Sequence, residues 1–147
     1  LDTGGVPYRE LGRISDAELV NAYRRCDFIV FASEYEGFGL PVIEAMALGA
    51  PVLTSSLGSL HEVVHDPRIL FDPRDKPAST EILRRALTDA DFRQVMTAGA
   101  REHALSFSWE KCAALALSAI REKLAELFAY AGRHEIEIHF FGVRADK

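Results

Sequence analysis

Apolar residues follow two rhythms along this chain. Three short, nearly unbroken apolar runs, "DFIVFAS" (27–33), "APVLTSS" (50–56) and "RILFD" (68–72), have the pattern of strands covered on both faces. Between them the spacing turns helical. In "SDAELVNAYRRC" (15–26), Ser15 and Glu18 stand at capping-box spacing, and Leu19, Ala22 and Tyr23 follow on one face. A second helix is predicted over Leu40–Leu48, with Pro41 in its first turn and Gly49 as its stop. "SLHEVV" (59–64) reads as a short helical turn. A further strand is predicted at "VPYREL" (6–11), bounded by Gly4-Gly5 and Gly12. Strands alternating with helices over short connections predict an α/β fold, a partial Rossmann-like parallel sheet of about four strands with flanking helices.

Beyond residue 73 the period is helical only. Ile82, Leu83, Ala86 and Leu87 form one stripe, Phe92, Val95, Met96 and Gly99 a second, and Leu117, Ile120, Leu124 and Leu127 a longer third. Stripes of this kind are expected to be core. From Gly132 the pattern changes again. Ile136, Ile138 and Phe140 alternate with charged residues or His, which suits a strand or an appended segment. The domain reading is therefore 1–131 as one α/β unit and 132–147 as a tail. His134 and His139 in that tail have no partners at ligand spacing and are expected to be solvated, and His61 is expected on the surface of its short helix.

Composition narrows the classes. At 147 residues, with 48% hydrophobic and 27% charged positions, the chain supports one core-bearing domain and is not a disordered segment. Seventeen Lys and Arg against 22 Asp and Glu give a net charge of −5, which is not the footprint of a nucleic-acid binder. No apolar run reaches the length of about 20 residues that spans a bilayer, and no signal-peptide pattern is present, so a cytoplasmic location is expected. Cys26 and Cys112 lie outside any CxxC spacing and are expected to be reduced and packed; no metal site is expected. The first residue is Leu1, so the chain is expected to belong to a longer polypeptide. "DTGG" (2–5) echoes an aspartic-protease loop but lacks its flanking apolar strands and its second copy.

The candidate chemistry lies in "EYEGFGLPVIEAMALGAP" (34–51). This stretch leaves the carboxyl end of a predicted parallel strand, where α/β sheets place ligands. It also opens a helix, whose first N–H groups are unpaired and whose dipole favours an anion. Gly37 and Gly39 let the main chain approach a phosphate closely. Glu36, ahead of the turn, and Glu44, a turn into the helix, can accept from vicinal hydroxyls on either side of that anion. Hydroxyls flanking a diphosphate describe a nucleotide sugar. The plain alternative is a glycine-rich turn with two exposed acids. The stretch is neither the GxGxxG dinucleotide fingerprint nor a GxxxxGK[ST] phosphate loop.

"SEYEGFGLPVIEAMALGAPV" (33–52) closely resembles the Glu-x7-Glu (EX7E) segment of retaining GT-B glycosyltransferases, the glycogen-synthase-like "group 1" or family 4. The resemblance runs from about Tyr8 to Leu124. "LGRISDAELVNAYRRCDFIVFAS", "GSLHEVV", "LFDP" and "FSWEK" match further landmarks in the family's order. Departures are small: Phe31-Ala32-Ser33 stands where Pro-Ser is frequent, and Cys26 and Leu48 occupy small-residue positions. The resemblance implies two Rossmann-like domains with the donor held mainly by the C-terminal one, of which this chain would be a part truncated on its N-terminal side. It implies that Glu36 contacts the donor hexose and carries the catalytic assignment. Gly37, Phe38, Gly39 and Leu40 would offer amides to the sugar and diphosphate, Glu44 would hold the ribose, and Arg13 and Ile14 would frame the base. The reaction implied is transfer of a hexose from a UDP-, GDP- or ADP-linked donor with retention of configuration, without a cofactor and without a metal.

The same resemblance places an Arg and a Lys that neutralise the leaving diphosphate upstream of the first predicted strand, and both these and the acceptor domain are expected outside the chain. The 147 residues alone are therefore expected to be inactive, and an unprotected sheet edge is expected to favour self-association or pairing with the tail. Two other readings stay open: another GT-B reaction such as a phosphorylase or sugar synthase, and a non-catalytic nucleotide- or protein-binding module.

Overall fold

The computed structural model describes residues 5–64 and 66–135. The chain divides into two compact units, Leu1–Ser106 and Phe107–Lys147. The division falls inside the stretch expected as one domain to residue 131. The alternating tail residues Ile136, Ile138, His139 and Phe140 lie outside the described residues.

The first unit is built on a parallel sheet. Its helices and strands alternate as α1 (Asp16–Arg25), β1 (Ile29–Phe31), α2 (Leu40–Ala47), β2 (Val52–Ser55), α3 (Leu60–Val63) and β3 (Leu70–Phe71), followed by α4 (Lys76–Thr88), α5 (Ala90–Thr97) and α6 (Ala100–Leu105). β2 is central. Ile29, Val30 and Phe31 register against Val52, Leu53 and Thr54, while Thr54 and Ser55 register against Leu70 and Phe71. All four residues of β2 are fully enclosed, which explains why its sequence is a continuous run rather than an alternation. Val42, Ala45 and Met46 of α2, Leu60 and Val63 of α3, Ile69, and Phe92 and Met96 of α5 complete the core. α2 also lies against α6, whose inward residues Ala100 and Ala104 are small.

Local chemistry sets the element ends. α1 starts in the expected capping box: the Ser15 N–H donates to the Glu18 carboxylate at 2.8 Å and the Glu18 N–H donates to Ser15 Oγ at 3.4 Å. α2 carries Pro41 in its first turn and ends before Gly49. β3 is shorter than "RILFD" predicts. Pro67–Ile69 form a 3₁₀ turn capped by Asp66, whose carboxylate accepts from the Arg68 N–H at 2.9 Å.

Several expectations need correction. The sheet has three strands among the described residues, not about four. Residues 6–11 are not in a ladder, and Val6, Tyr8 and Leu11 are exposed. An apolar extended stretch becomes a strand only when a neighbour pairs its N–H and C=O groups. Leu87 of the α4 stripe is exposed while Ala86 beside it is buried. Gly99 is not core but the residue that begins α6.

The second unit contains α7 (Trp109–Arg133), begun by Ser108, whose Oγ accepts from the Lys111 N–H at 3.2 Å. Its stripe is not core: Leu117, Ile120 and Leu127 are 54%, 55% and 45% exposed. The described part of this unit offers a helix without a second layer, and a stripe becomes core only when another layer covers it. Cys112 is exposed on this helix, not packed as expected, and Cys26 is half-buried; both are free thiols. His134 ends α7 exposed, as expected, with its ring centroid 4.3 Å from that of Tyr130 and tilted against it. No helix among the described residues is long and apolar enough to cross a membrane.

Candidate functional site

Parallel pairing puts the carboxyl ends of β1, β2 and β3 on one edge of the sheet. The loops that leave this edge are residues 32–39, 56–59 and 72–75. The strands themselves prepare the change from core to edge. Val52 and Leu53 give way to Thr54 and Ser55, and both hydroxyl residues are fully enclosed. Thr54 Oγ1 donates to the Phe31 carbonyl at 3.3 Å, and Ser55 Oγ accepts from the Leu57 N–H at 3.0 Å. Buried hydroxyls with partners hold the loops to the strand ends without an unsatisfied polar group.

The first loop carries most of the sequence-identified residues. Glu36 is half-buried, and its Oε1 accepts from the Ser33 hydroxyl at 2.8 Å. Its own carbonyl accepts from the Ser59 hydroxyl at 2.9 Å. The carboxylate is thus anchored by the side chain three residues before it, and the peptide by the loop after β2.

Gly37 and Gly39 do different work. Gly39 begins α2 at φ 93, a left-handed backbone that favours glycine, and a Cβ there would stand 2.6 Å from Leu60 Cδ2, which would have to shift. A Cβ on Gly37 would meet nothing within 4 Å, so that glycine borders open space. Phe38 and Leu40 are exposed at the rim, as is Tyr35 at 87%.

Glu44 projects from the exposed side of α2, the face opposite Val42, Ala45 and Met46. Tyr23 of α1 stands within its field: partial burial pushes the Tyr23 phenol up from its ordinary range, and the Glu44 charge adds to that. Arg13 is exposed and Ile14 half-buried in the segment before α1. Arg13 makes no hydrogen bond or ion pair among the described residues.

The geometry brings Glu36, Gly37, Phe38, Gly39, Leu40 and Glu44 together on one loop and one helix, while Arg13 and Ile14 lie on a different segment, ahead of α1. Cationic charge is scarce at this edge. The three loops contain one basic residue, Arg74, and its guanidinium is held by Asp72 at 3.1 and 3.2 Å. That pair depresses the Asp72 pKa, the Arg74 hydrogen bond being the main cause, and Glu34 adds its charge beside Arg74. An anion bound here would meet backbone N–H groups rather than a free basic side chain from these loops.

Sequence spacing missed Tyr23, Ser33, Gly58 and Ser59. The rule that ligands meet parallel sheets at their carboxyl ends pointed to all three loops, not only the glycine-rich one. A surface depression lined by Thr97, Gly99, Arg101 and Glu102 shares no residue with this edge.

Comparison with known proteins identifies the family. Residues 9–103 match the family described as "Glycosyl transferases group 1". The O-antigen chain mannosyltransferase B of Escherichia coli is 39% identical over 113 residues, 77% of this chain and 30% of that protein. A D-inositol 3-phosphate glycosyltransferase of Saccharomonospora viridis is 36% identical over 110 residues, 74% of this chain and 26% of that protein. Among solved structures, sucrose-phosphate synthase of Thermosynechococcus elongatus superposes with a TM-score of 0.64 at 32% identity over 79% of this chain and 30% of its own. The catalytic domain of cholesterol-α-glucosyltransferase from Helicobacter pylori shares the fold, with a TM-score of 0.57 at 21% identity over 65% of this chain and 61% of its own. The chain spans under a third of the curated relatives it matches. Matched by that family over most of its length, with its glycine loop and paired acids at the carboxyl edge of a parallel sheet, the chain belongs to the group 1 glycosyl transferases.

Proposed function

We propose that this chain is the donor-binding part of a retaining GT-B glycosyltransferase of family 4, corresponding to that fold's C-terminal domain. The observation that carries the reading is the loop of residues 36–40. It leaves the carboxyl edge of β1, opens α2 without a side-chain cap, and is flanked by Glu36 on one side and Glu44 one helical turn beyond. In this reading a nucleoside diphosphate sugar, UDP-, GDP- or ADP-linked, lays its diphosphate against the amides of Gly37, Phe38, Gly39 and Leu40. Gly37 has the open space for that approach. Glu44 accepts from the ribose hydroxyls, Arg13 and Ile14 frame the base, and Glu36, oriented by Ser33, meets the hexose. The family relationship and the mannosyl- and glycosyltransferases among the relatives support hexose transfer.

No cofactor and no metal enter this mechanism. Charge neutralisation of the leaving diphosphate requires cations that the three loops do not offer, since Arg74 is paired with Asp72. The acceptor is supplied by another domain, and the 147 residues by themselves bind donor without turning it over. The location proposed is the cytoplasm, where nucleotide sugars serve as donors. β1 has one flank unpaired among the described residues, with Val30 exposed, and self-association through that flank belongs to the same proposal.

Titration calorimetry of the chain with UDP, GDP and ADP tests the donor site. Saturable binding of one nucleotide, weakened at least tenfold in Glu44→Ala, is expected from loss of a charged acceptor for two hydroxyls. Absence of binding by all three removes the reading and leaves an interaction module.

A further inference from the structure

Glu36 sits between two glycines' worth of conformational freedom and the end of a strand, yet a carboxylate that discriminates sugar hydroxyls must hold its place to within about half an ångström. Two contacts restrain it. Ser33 donates to the carboxylate itself, and Ser59, on a different crossover of the sheet, donates to the Glu36 carbonyl at 2.9 Å. Ser59 occupies the residue before α3, where a serine hydroxyl ordinarily accepts from the helix's first N–H groups. Here that bond is not made. The hydroxyl is turned to the glycine loop instead, so the first turn of α3 forgoes a cap in favour of a contact 23 residues away in sequence.

The neighbouring residue fits the same purpose. A Cβ on Gly58 would stand 3.2 Å from the Glu36 nitrogen and 3.4 Å from its oxygen, and Gly58 has φ 60. A bare backbone at 58 lets the loop after β2 close on the Glu36 peptide, and Ser59 then fastens it. Glu44 depends on neither residue, because α2 is fixed by the burial of Val42, Ala45 and Met46.

We propose that Ser59, with the space left by Gly58, is a positioning residue for Glu36, setting the recognition of the sugar portion of the donor while leaving the nucleotide portion alone. The proposal rests on the donor-site reading above. Ser59 does not touch the ligand; it acts through the Glu36 peptide.

The measurement is a ratio. Dissociation constants of the wild-type chain are determined for UDP, GDP and ADP, and for UDP-glucose, GDP-mannose and ADP-glucose, by calorimetry. The matching pair gives the affinity added by the hexose. In Ser59→Ala this increment is expected to fall about fivefold, the equivalent of one neutral hydrogen bond, with the constant for the bare nucleotide unchanged within about twofold. Ser59→Thr, which keeps the hydroxyl, is expected to restore it. Gly58→Ala, which pushes on the same peptide without touching the hydroxyl, is expected to lower the increment as well, and serves if Ser59→Ala does not fold.

Loss of nucleotide and nucleotide-sugar affinity in equal proportion would mean that Ser59 is only structural, and an unchanged ratio in both variants would mean that it does not position Glu36. Either result overturns this proposal and leaves the donor site standing. A wild-type chain that binds no nucleotide overturns the donor site and this proposal together, and one that gains nothing from the hexose overturns the positioning role alone.

Discussion

α2 and α7 make an instructive pair. α2 is eight residues long, has a left-handed glycine in place of a side-chain cap, and buries Val42, Ala45 and Met46 almost completely. α7 is 25 residues long, is capped by Ser108, and repeats apolar residues at 3-4-3 spacing, yet its only buried residue is Ala131. By local rules α7 is the better helix and α2 the poorer one. Packing reverses the order: a short helix with a poor start is held by its neighbours, and a long periodic one remains exposed among the described residues. Helical periodicity records which face asks for cover, and the tertiary structure decides whether the cover exists.

The largest effect should come from the buried side of this comparison. Met46→Ala removes a fully enclosed side chain from α2 and is expected to cost about 2–5 kcal/mol in urea unfolding. Ile120→Ser, on the stripe of α7, is expected to change stability by no more than about 0.5 kcal/mol. A cost of several kcal/mol at Ile120 would break the contrast, because it would reveal a covered face.

Next in size is the start of α2. Gly39→Ala forces a Cβ into a left-handed backbone and against Leu60, an expected loss of about 1–3 kcal/mol by thermal or urea melts. Gly37→Ala has open space for its methyl and should leave the melt nearly unchanged while weakening nucleotide binding in the calorimeter. Equal melting losses at the two glycines would show that Gly37 is structural too.

The smallest effect concerns α1, which buries no residue but is fastened by its capping box. The Glu18 carboxyl is held below its ordinary range, first by the Ser15 N–H and then by the Ser15 hydroxyl. A depressed carboxylate contributes stability above its unfolded pKa and loses it as pH falls through the folded value. The unfolding midpoint should therefore drop slightly as the medium is acidified through the carboxylate range, and Glu18→Gln should flatten that part of the profile. An identical acid limb in both proteins would sink the assignment.

Much of the fold was legible because its cause is local. The run at 52–55 is continuous because β2 is enclosed on both faces, and the capping box needs only residues 15 and 18. The loop from Glu36 to Leu40 was legible for the same reason: strand end, glycines and helix start are contiguous in sequence. What could not be read depends on a second partner. Residues 6–11 have strand chemistry but no ladder neighbour among the described residues. The stripe of Leu117, Ile120 and Leu127 has helix chemistry but stays exposed among the described residues. Ser59 is only the first residue of the short helical turn read at 59–64, and the fold alone shows its hydroxyl spent on Glu36.

The central strand carries one more implication. Val52, Leu53, Thr54 and Ser55 are equally hidden from water, yet the strand passes from hydrocarbon to alcohol along its length. Burial alone would not require that gradient. Replacing both hydroxyl residues with valine would produce a more uniformly oily interior whose two ends no longer differ, and the strand tips would lose the means of steering the turns that leave them. The orientation of the sheet is thus inscribed as a polarity change inside the interior, visible before any surface residue is considered.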